Sequence, residues 1–163
     1  MKKLLLMSDT HFSGGLEFPD IVWDQIDDCD QIIHAGDFTS LDTYEELQAH
    51  RPVIGALGNT DSNALSGLIP EINELEVYGV RIGVVHGWGS PKGIVERIYP
   101  KMAARKFDIV VFGHSHIADI CGMGSILFVN PGSVTSSRFS QHNSVATLAV
   151  SEDGFEAPEI ITF

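Results

Sequence analysis

Seven side chains able to bind metal stand in short polar breaks, each directly after a run of apolar residues. Asp9 and His11 follow Leu4-Leu5-Leu6-Met7, Asp37 follows Ile32-Ile33, and Asn59 follows the stretch from Val53 to Leu57. His86 follows Val84-Val85, and His114 and His116 follow Ile109-Val110-Val111-Phe112. Imidazole and carboxylate together suit Mn, Fe, Co, Ni or Zn, whereas Mg and Ca prefer all-oxygen shells. Cys29 and Cys121 form no C-x-x-C pair, so there is no pattern for a structural thiolate zinc site. Seven side chains exceed what one ion needs and suit two, if one carboxylate bridges. Two ions ~3.5–4 Å apart can share a hydroxide and clamp a phosphoryl oxygen, which is the apparatus for in-line attack on phosphorus. Two dications outweigh Asp9, Asp37 and a hydroxide, so the site stays positive and can attract an anion.

These residues need elements that bring them to one place. Strand-length apolar runs alternate with amphipathic stretches over the first third of the chain. Lys3 to Met7, Gln31 to His34 and Val53 to Leu57 read as strands, and Asp20 to Asp28 and Leu41 to His50 as helices, the latter ended by Arg51-Pro52. This β-α-β-α-β order implies a largely parallel sheet with helices on its faces, and ligands bind beyond the carboxyl ends of such strands. Glu74 to Tyr78 and Val80 to Val85 flank Gly79 as a hairpin. A helix follows from Ser90 as N-cap, with Pro91 in its first position, to about Lys106. Short strands separated by Gly122, Gly124, Pro131-Gly132 and Asp153-Gly154 complete one α/β domain over 1–163, with two packed sheets. Asp9 with His11, and His114 with His116, are two residues apart, so extended backbone would aim each pair at one side. Gly36, Gly58 and Gly113 suit tight turns and close backbone approach at strand ends. Asn130 and Ser133 read as turn-shaping residues, and His34 as a buried core residue or a support behind the ligands.

The remaining composition removes whole classes of function. A net charge of −12, from 22 acidic and 10 basic residues, repels nucleic-acid backbones and anionic membranes. Neither duplex binding nor membrane association is therefore expected. The opening Met1-Lys2-Lys3-Leu4-Leu5-Leu6-Met7 meets Ser8-Asp9-Thr10-His11 too early for a signal-peptide core. With its two separated cysteines, the chain is expected in the cytoplasm. No G-x-S-x-G elbow and no G-x-x-x-x-G-K-[ST] loop is present.

The ordered set Asp9-x-His11, Gly36-Asp37, Gly58-Asn59, His86 and Gly113-His114-x-His116 resembles the calcineurin-like metallophosphoesterase superfamily. The short length and Asn130-Pro131-Gly132-Ser133 are similar to its small YfcE-type phosphodiesterase branch, over roughly residues 3 to 138. The resemblance implies a four-layer αββα sandwich of two mixed or parallel sheets flanked by helices. It implies that Asp9, His11, Asp37 and His116 hold one divalent ion and that Asp37, Asn59, His86 and His114 hold the other. Mn²⁺ is the ion that the analogy favours, with Ni²⁺, Zn²⁺, Fe²⁺ or Co²⁺ as alternatives. Asn59, His86 and His114 are expected to be catalytic as well as metal-holding. The expected activity is hydrolysis of a small phosphodiester by a metal-bridging hydroxide. The alternatives are a phosphomonoesterase, or a non-catalytic metal-binding scaffold of the Vps29 type. Relatives often carry a histidine after the asparagine as proton donor to the leaving group. Here Thr60 stands in that place, and a hydroxyl of high pKa is a poor general acid, so good leaving groups are expected. Thr60, Trp88 (where relatives often repeat a histidine) and Arg138 are candidate substrate contacts, against packing on the following helix for Trp88 and a solvated surface place for Arg138. Apolar residues in the C-terminal strands would allow a homo-oligomer.

Overall fold

Leu4, Leu5, Leu6 and Met7 are all buried because the strand they form is covered on both faces. The computed structural model describes residues 1–12, 15–135 and 142–163. Its first half runs β1 (Lys2–Met7), α1 (Asp20–Asp28), β2 (Gln31–His34), α2 (Leu41–His50), β3 (Val53–Gly55), α3 (Asn63–Ser66) and the hairpin of β4 (Ile72–Val77) and β5 (Val80–Val85). Then come α4 (Ile94–Ala103), β6 (Ile109–Phe112), β7 (Asp119–Met123), β8 (Ile126–Asn130), β9 (Ser144–Ser151), β10 (Gly154–Phe155) and β11 (Glu159–Thr162).

Two mixed sheets result. One has the order β10-β9-β1-β2-β3, with β11 also on β9; the other has the order β4-β5-β6-β8-β7. In the first, β1, β2 and β3 are parallel, and β9 returns antiparallel to β1. In the second, β5, β6 and β8 are parallel, while β4 and β7 run antiparallel at the edges.

Alternation along the strands divides the core into three layers. Leu4 and Leu6 meet Ile82, Val84, Ile109 and Val111 between the sheets. Leu5, Met7 and Ile32 face outward onto Val22 and Ile26 of α1 and Leu47 of α2. Val110, Phe112 and Phe128 face outward onto Val95, Ile98 and Met102 of α4. The expected αββα sandwich is the observed architecture. Fully burying each such aliphatic side chain is worth about 1.5–3 kcal/mol, so a charge introduced at Leu6 or Val111 would break the seam between the sheets. No helix among the described residues is long and apolar enough to cross a membrane.

The helix after Gly87 differs from expectation. It begins at Ile94, after Gly93 in a left-handed conformation (φ 73°), not at Ser90, and it ends at Ala103. Arg97 explains the late start. Its guanidinium donates to the carbonyls of Trp88, Ser90 and Lys92, folding residues 88–92 back as a loop where an N-cap would have extended them into the first turn. The third strand is also shorter than expected, because Leu57 N–H leaves the ladder and donates to Pro70 O.

Candidate metal centre

The carboxyl ends of β1, β2, β3, β5 and β6 lie together, and the loops after them bring all seven predicted side chains into one cluster. Parallel pairing of β1 with β2, of β2 with β3 and of β5 with β6 puts these ends on one edge. The two sheets face each other there, so Asp9, His11, Asp37 and Asn59 meet His86, His114 and His116 across the sandwich.

The ligand pairs converge for a different reason from the one the spacing suggested. Asp9, His11, His114 and His116 are not extended; their φ values are 53°, 49°, 70° and 58°. Asp37 (φ 59°) and Thr39 (φ 78°) share this left-handed conformation. Such non-glycine residues cost on the order of 1 kcal/mol or more each and cluster at functional sites. The two histidines of His114-Ser115-His116 serve different halves of the cluster. His114 Nδ1 lies 3.3 Å from His86 Nε2, and His116 Nε2 lies 3.3 Å from His11 Nε2.

Hydrogen bonds fix the loops that carry this strain. Ser133 Oγ donates to Asp9 O (2.8 Å) and Thr135 Oγ1 to Thr10 O (2.8 Å). Asn130 Nδ2 donates to Gly113 O (3.1 Å) and Ser115 Oγ (2.9 Å). Asn130 and Ser133 thus hold turns, as their sequence context suggested. Asp61, given no role by the sequence reading, accepts from the N–H groups of Gly58 (2.7 Å), Thr39 (2.8 Å) and Asp37 (3.2 Å). An aspartate three residues after a glycine in a turn-rich segment was the available signal. Two glycines are required by close approach. A Cβ on Gly58 would overlap the Asp37 carboxylate, and one on Gly113 would overlap Ser8 Oγ.

Each half has ligand-type atoms turned inward. His86 Nδ1–H donates to Ala35 O (2.7 Å), which leaves Nε2 facing Asn59 Oδ1 (3.1 Å) and Asp37 Oδ2 (3.4 Å). His114 Nε2–H donates to Gly89 O (2.8 Å), which leaves Nδ1 facing Asn59 Oδ1 (3.0 Å). In the other half, Asp9 Oδ1 is 3.2 Å from His116 Nε2 and 3.8 Å from His11 Nε2. Asp37 Oδ2 is 3.7 Å from His11 Nε2 and 3.4 Å from His86 Nε2, so one carboxylate oxygen faces both halves. Asp9 Oδ1 is buried and accepts no hydrogen bond among the described residues. A buried carboxylate oxygen without a donor is costly, and a cation would satisfy it. The atoms of Asp9, His11 and His116 lie within 4.8 Å of one another, as do those of Asp9, Asp37 and His86. The donor set and the unsatisfied oxygen fit divalent metal.

The electrostatics agree. Burial pushes the Asp37 carboxyl up, but His86 and Thr60 outweigh it and hold Asp37 well below the usual carboxylate range. Burial likewise raises Asp9, and His116, His86 and Ser8 more than offset it. Burial pushes the His86 imidazolium down, but Asp37, the charge of Asp9 and the Ala35 carbonyl raise it on balance.

His34 stands behind the cluster, fully buried and stacked on Phe38 with ring centroids 3.6 Å apart. Its Nδ1 accepts from Gly36 N–H (3.2 Å) and its Nε2 contacts Thr10 Oγ1 (3.2 Å), so it ties the loops after β1 and β2. Burial lowers its pKa to about 3 and keeps it neutral. Thr60 lies at the exposed rim, its N–H on Asp37 Oδ1 (2.9 Å) and its Oγ1 3.5 Å from His11 Nδ1. Trp88, 43% exposed, borders a cleft that opens beside Asn59 and His86. Arg138 lies outside the described residues.

Residues 1–153 match the model of the calcineurin-like phosphoesterase superfamily domain. A probable metallophosphoesterase of Methanothermobacter thermautotrophicus is 31% identical over 159 residues, covering 96% of this chain and 91% of that protein. A protein named phosphodiesterase in Methanocaldococcus jannaschii is 27% identical over 146 residues, 80% of this chain and 82% of its own. The crystal structure of Vps29 from Entamoeba histolytica complexed with zinc superposes with a TM-score of 0.77 at 19% identity, covering 99% of this chain and 98% of that one. The family match, the full-length relative and the metal-compatible cluster at the edge of the αββα sandwich place this chain in the calcineurin-like phosphoesterase superfamily, among the metallophosphoesterases.

Proposed function

We propose that this metallophosphoesterase is a phosphodiesterase working with two divalent ions, Mn²⁺ foremost, held by Asp9, His11, Asp37 and His116 on one side and by Asp37, Asn59, His86 and His114 on the other. The observation that carries the reading is the inward-facing set of Asn59 Oδ1, His86 Nε2 and His114 Nδ1, with both imidazoles anchored outward on main-chain carbonyls. Asp37 Oδ2 faces both halves, so Asp37 would be the residue shared by the two ions. Divalent ions there supply positive charge for phosphoryl oxygens and lower the pKa of a water nucleophile.

The chain's own residues do the rest. Ala35 O and Gly89 O fix the His86 and His114 tautomers, so that a lone pair on each points to the centre. Asn59 Nδ2, on the amide whose oxygen faces both histidines, donates toward a phosphoryl oxygen as charge builds on it. Nothing at Thr60 protonates the departing oxygen efficiently, which favours diesters whose leaving group departs as a stable anion. The relative named phosphodiesterase supports this choice over a monoesterase.

The test is hydrolysis of bis(p-nitrophenyl) phosphate by metal-stripped protein with Mn²⁺, Ni²⁺, Zn²⁺ or Mg²⁺ restored. Metal-dependent turnover, lost by at least a thousandfold in Asp37→Ala and His114→Ala, is expected. A folded protein inactive with every metal would sink the proposal and leave the metal-binding scaffold.

A further inference from the structure

A cleft of about 380 Å³ opens directly from the cluster and is used by nothing described so far. Asn59 and His86 form its inner end, so a substrate with phosphorus at the metal centre must project one ester substituent into it or past it. Its walls are Leu57, Ile72, Val85 and Trp88, and Glu71 and Lys101 supply its charged groups. The volume is in the range of small-ligand pockets, and the lining mixes apolar side chains with polar and charged ones that could orient a ligand.

Trp88 is held for this position. Arg97 Nε donates to its carbonyl (3.0 Å) and also binds the carbonyls of Ser90 and Lys92. The next residue, Gly89, accepts from His114 Nε2, so the loop presenting the indole is tied to the metal cluster. Lys101 Nζ lies 5.8 Å from the indole centroid, a cation–π distance that orients the lysine. Carried on a main chain held in this way and 43% exposed at the mouth of a cleft, the indole offers a flat, apolar contact surface.

Resting on the phosphodiesterase reading, we propose that this cleft is a specificity subsite for a planar aromatic ring on the substituent that stays bonded to phosphorus. A nucleobase or a similar heteroaromatic ring would stack on Trp88. Its polar edge would meet Lys101 through an acceptor and Glu71 through a donor. The subsite selects among diesters by binding and takes no part in the bond-breaking step.

The experiment compares two diesters with the same leaving group, p-nitrophenyl thymidine 5′-phosphate and p-nitrophenyl methyl phosphate. In the wild type the thymidine diester is expected to show a KM lower on the order of tenfold, the size of one base–aromatic stack. Trp88→Ala should collapse that ratio toward one, and Trp88→Phe should keep most of it. A wild-type ratio near one, or a ratio that survives Trp88→Ala, would overturn the proposal. A separate titration keeps the question open to decision if no diester is hydrolysed. Tryptophan fluorescence is followed as p-nitrophenyl thymidine 5′-phosphate is added to the metal-stripped protein. Quenching that is lost in Trp88→Phe, which retains Trp23, would support the subsite with the activity reading failed, and absence of quenching would refute it.

Discussion

Removing the Asp61 carboxylate should weaken the protein and its metal affinity together, although Asp61 is not among the proposed ligands. Its oxygens accept from Gly58 N–H at 2.7 Å, Thr39 N–H at 2.8 Å and Asp37 N–H at 3.2 Å. These three donors belong to the loops after β2 and β3, which carry Asp37 and Asn59. Bonds to a charged acceptor are worth about 1.5–3 kcal/mol each when buried. Asp61 is partly exposed, so water can replace some of what is lost, and about 1 kcal/mol per bond is a fair discount. Asp61→Ala should therefore lose about 3 kcal/mol in urea unfolding at neutral pH. Asp61→Asn keeps one acceptor oxygen but turns an amide N–H₂ toward main-chain donors, so it should lose more than half of that. Because the loops then relax around left-handed Asp37 and Thr39, Mn²⁺ affinity measured by calorimetry should fall about 10–100-fold in both variants, as when groups supporting metal ligands are removed. An unchanged urea midpoint with Mn²⁺ affinity within twofold of wild type would show that the loops hold themselves, and the reasoning would fail.

Three further outcomes are expected. His34 has its pKa lowered to about 3 from 6.5, so its neutral form is required by the fold, and stability is full above pH 6.5 and falls as pH drops toward 3. Wild type should lose ~3 kcal/mol more between pH 7 and pH 4.5 than His34→Gln in urea unfolding, and equal losses would refute this. His86 has its pKa raised, so its contribution to metal-free stability is present below pH 6.5 and is lost as pH rises through the folded value. Metal must displace that proton, so Mn²⁺ affinity should rise up to about tenfold per pH unit until His86 is neutral, and calorimetry in buffers of different ionisation enthalpy should detect proton release. Thr60→His should raise turnover of alkyl diesters relative to p-nitrophenyl diesters, and no change in that ratio would show that proton donation is not what limits poor leaving groups.

Most of the candidate cluster was legible in the sequence because its signals were local. Four consecutive apolar residues, Leu4–Met7, announce a strand buried on both faces, and polar ligand types after five such runs announce a shared edge. The reason offered for convergence was incomplete, because residues two apart were assumed to be extended. Asp9, His11, His114 and His116 are left-handed, and the positive φ values are stabilised by partners more than a hundred residues away, such as Ser133 on Asp9 O and Asp9 Oδ2 on His114 N–H. No local pattern reports a bond of that kind. The same limit explains Ser90, which has every local mark of an N-cap but is drawn out of the helix by Arg97. It also explains Asp61, whose role depends on donors from two loops.

Likeness of fold does not separate the enzyme from the scaffold, because the Vps29 structure matches the whole sandwich at 19% identity. The distinction must lie in what the loops hold. A chain of net charge −12 has no reason to bury Asp9 and Asp37 beside each other unless a cation offsets them. Asp9 Oδ1 faces His116 Nε2 at 3.2 Å but accepts no hydrogen bond among the described residues. The strained residues sit in loops held by Ser133, Thr135, Asn130 and Asp61, so hydrogen bonds of the protein itself contribute to their positions. Such preorganisation lowers the cost of reorganisation during a reaction and has little value to a surface that only docks. The unsatisfied oxygen argues for a bound cation under either reading, and it is the preorganised loops that favour phosphoester hydrolysis over a purely structural role.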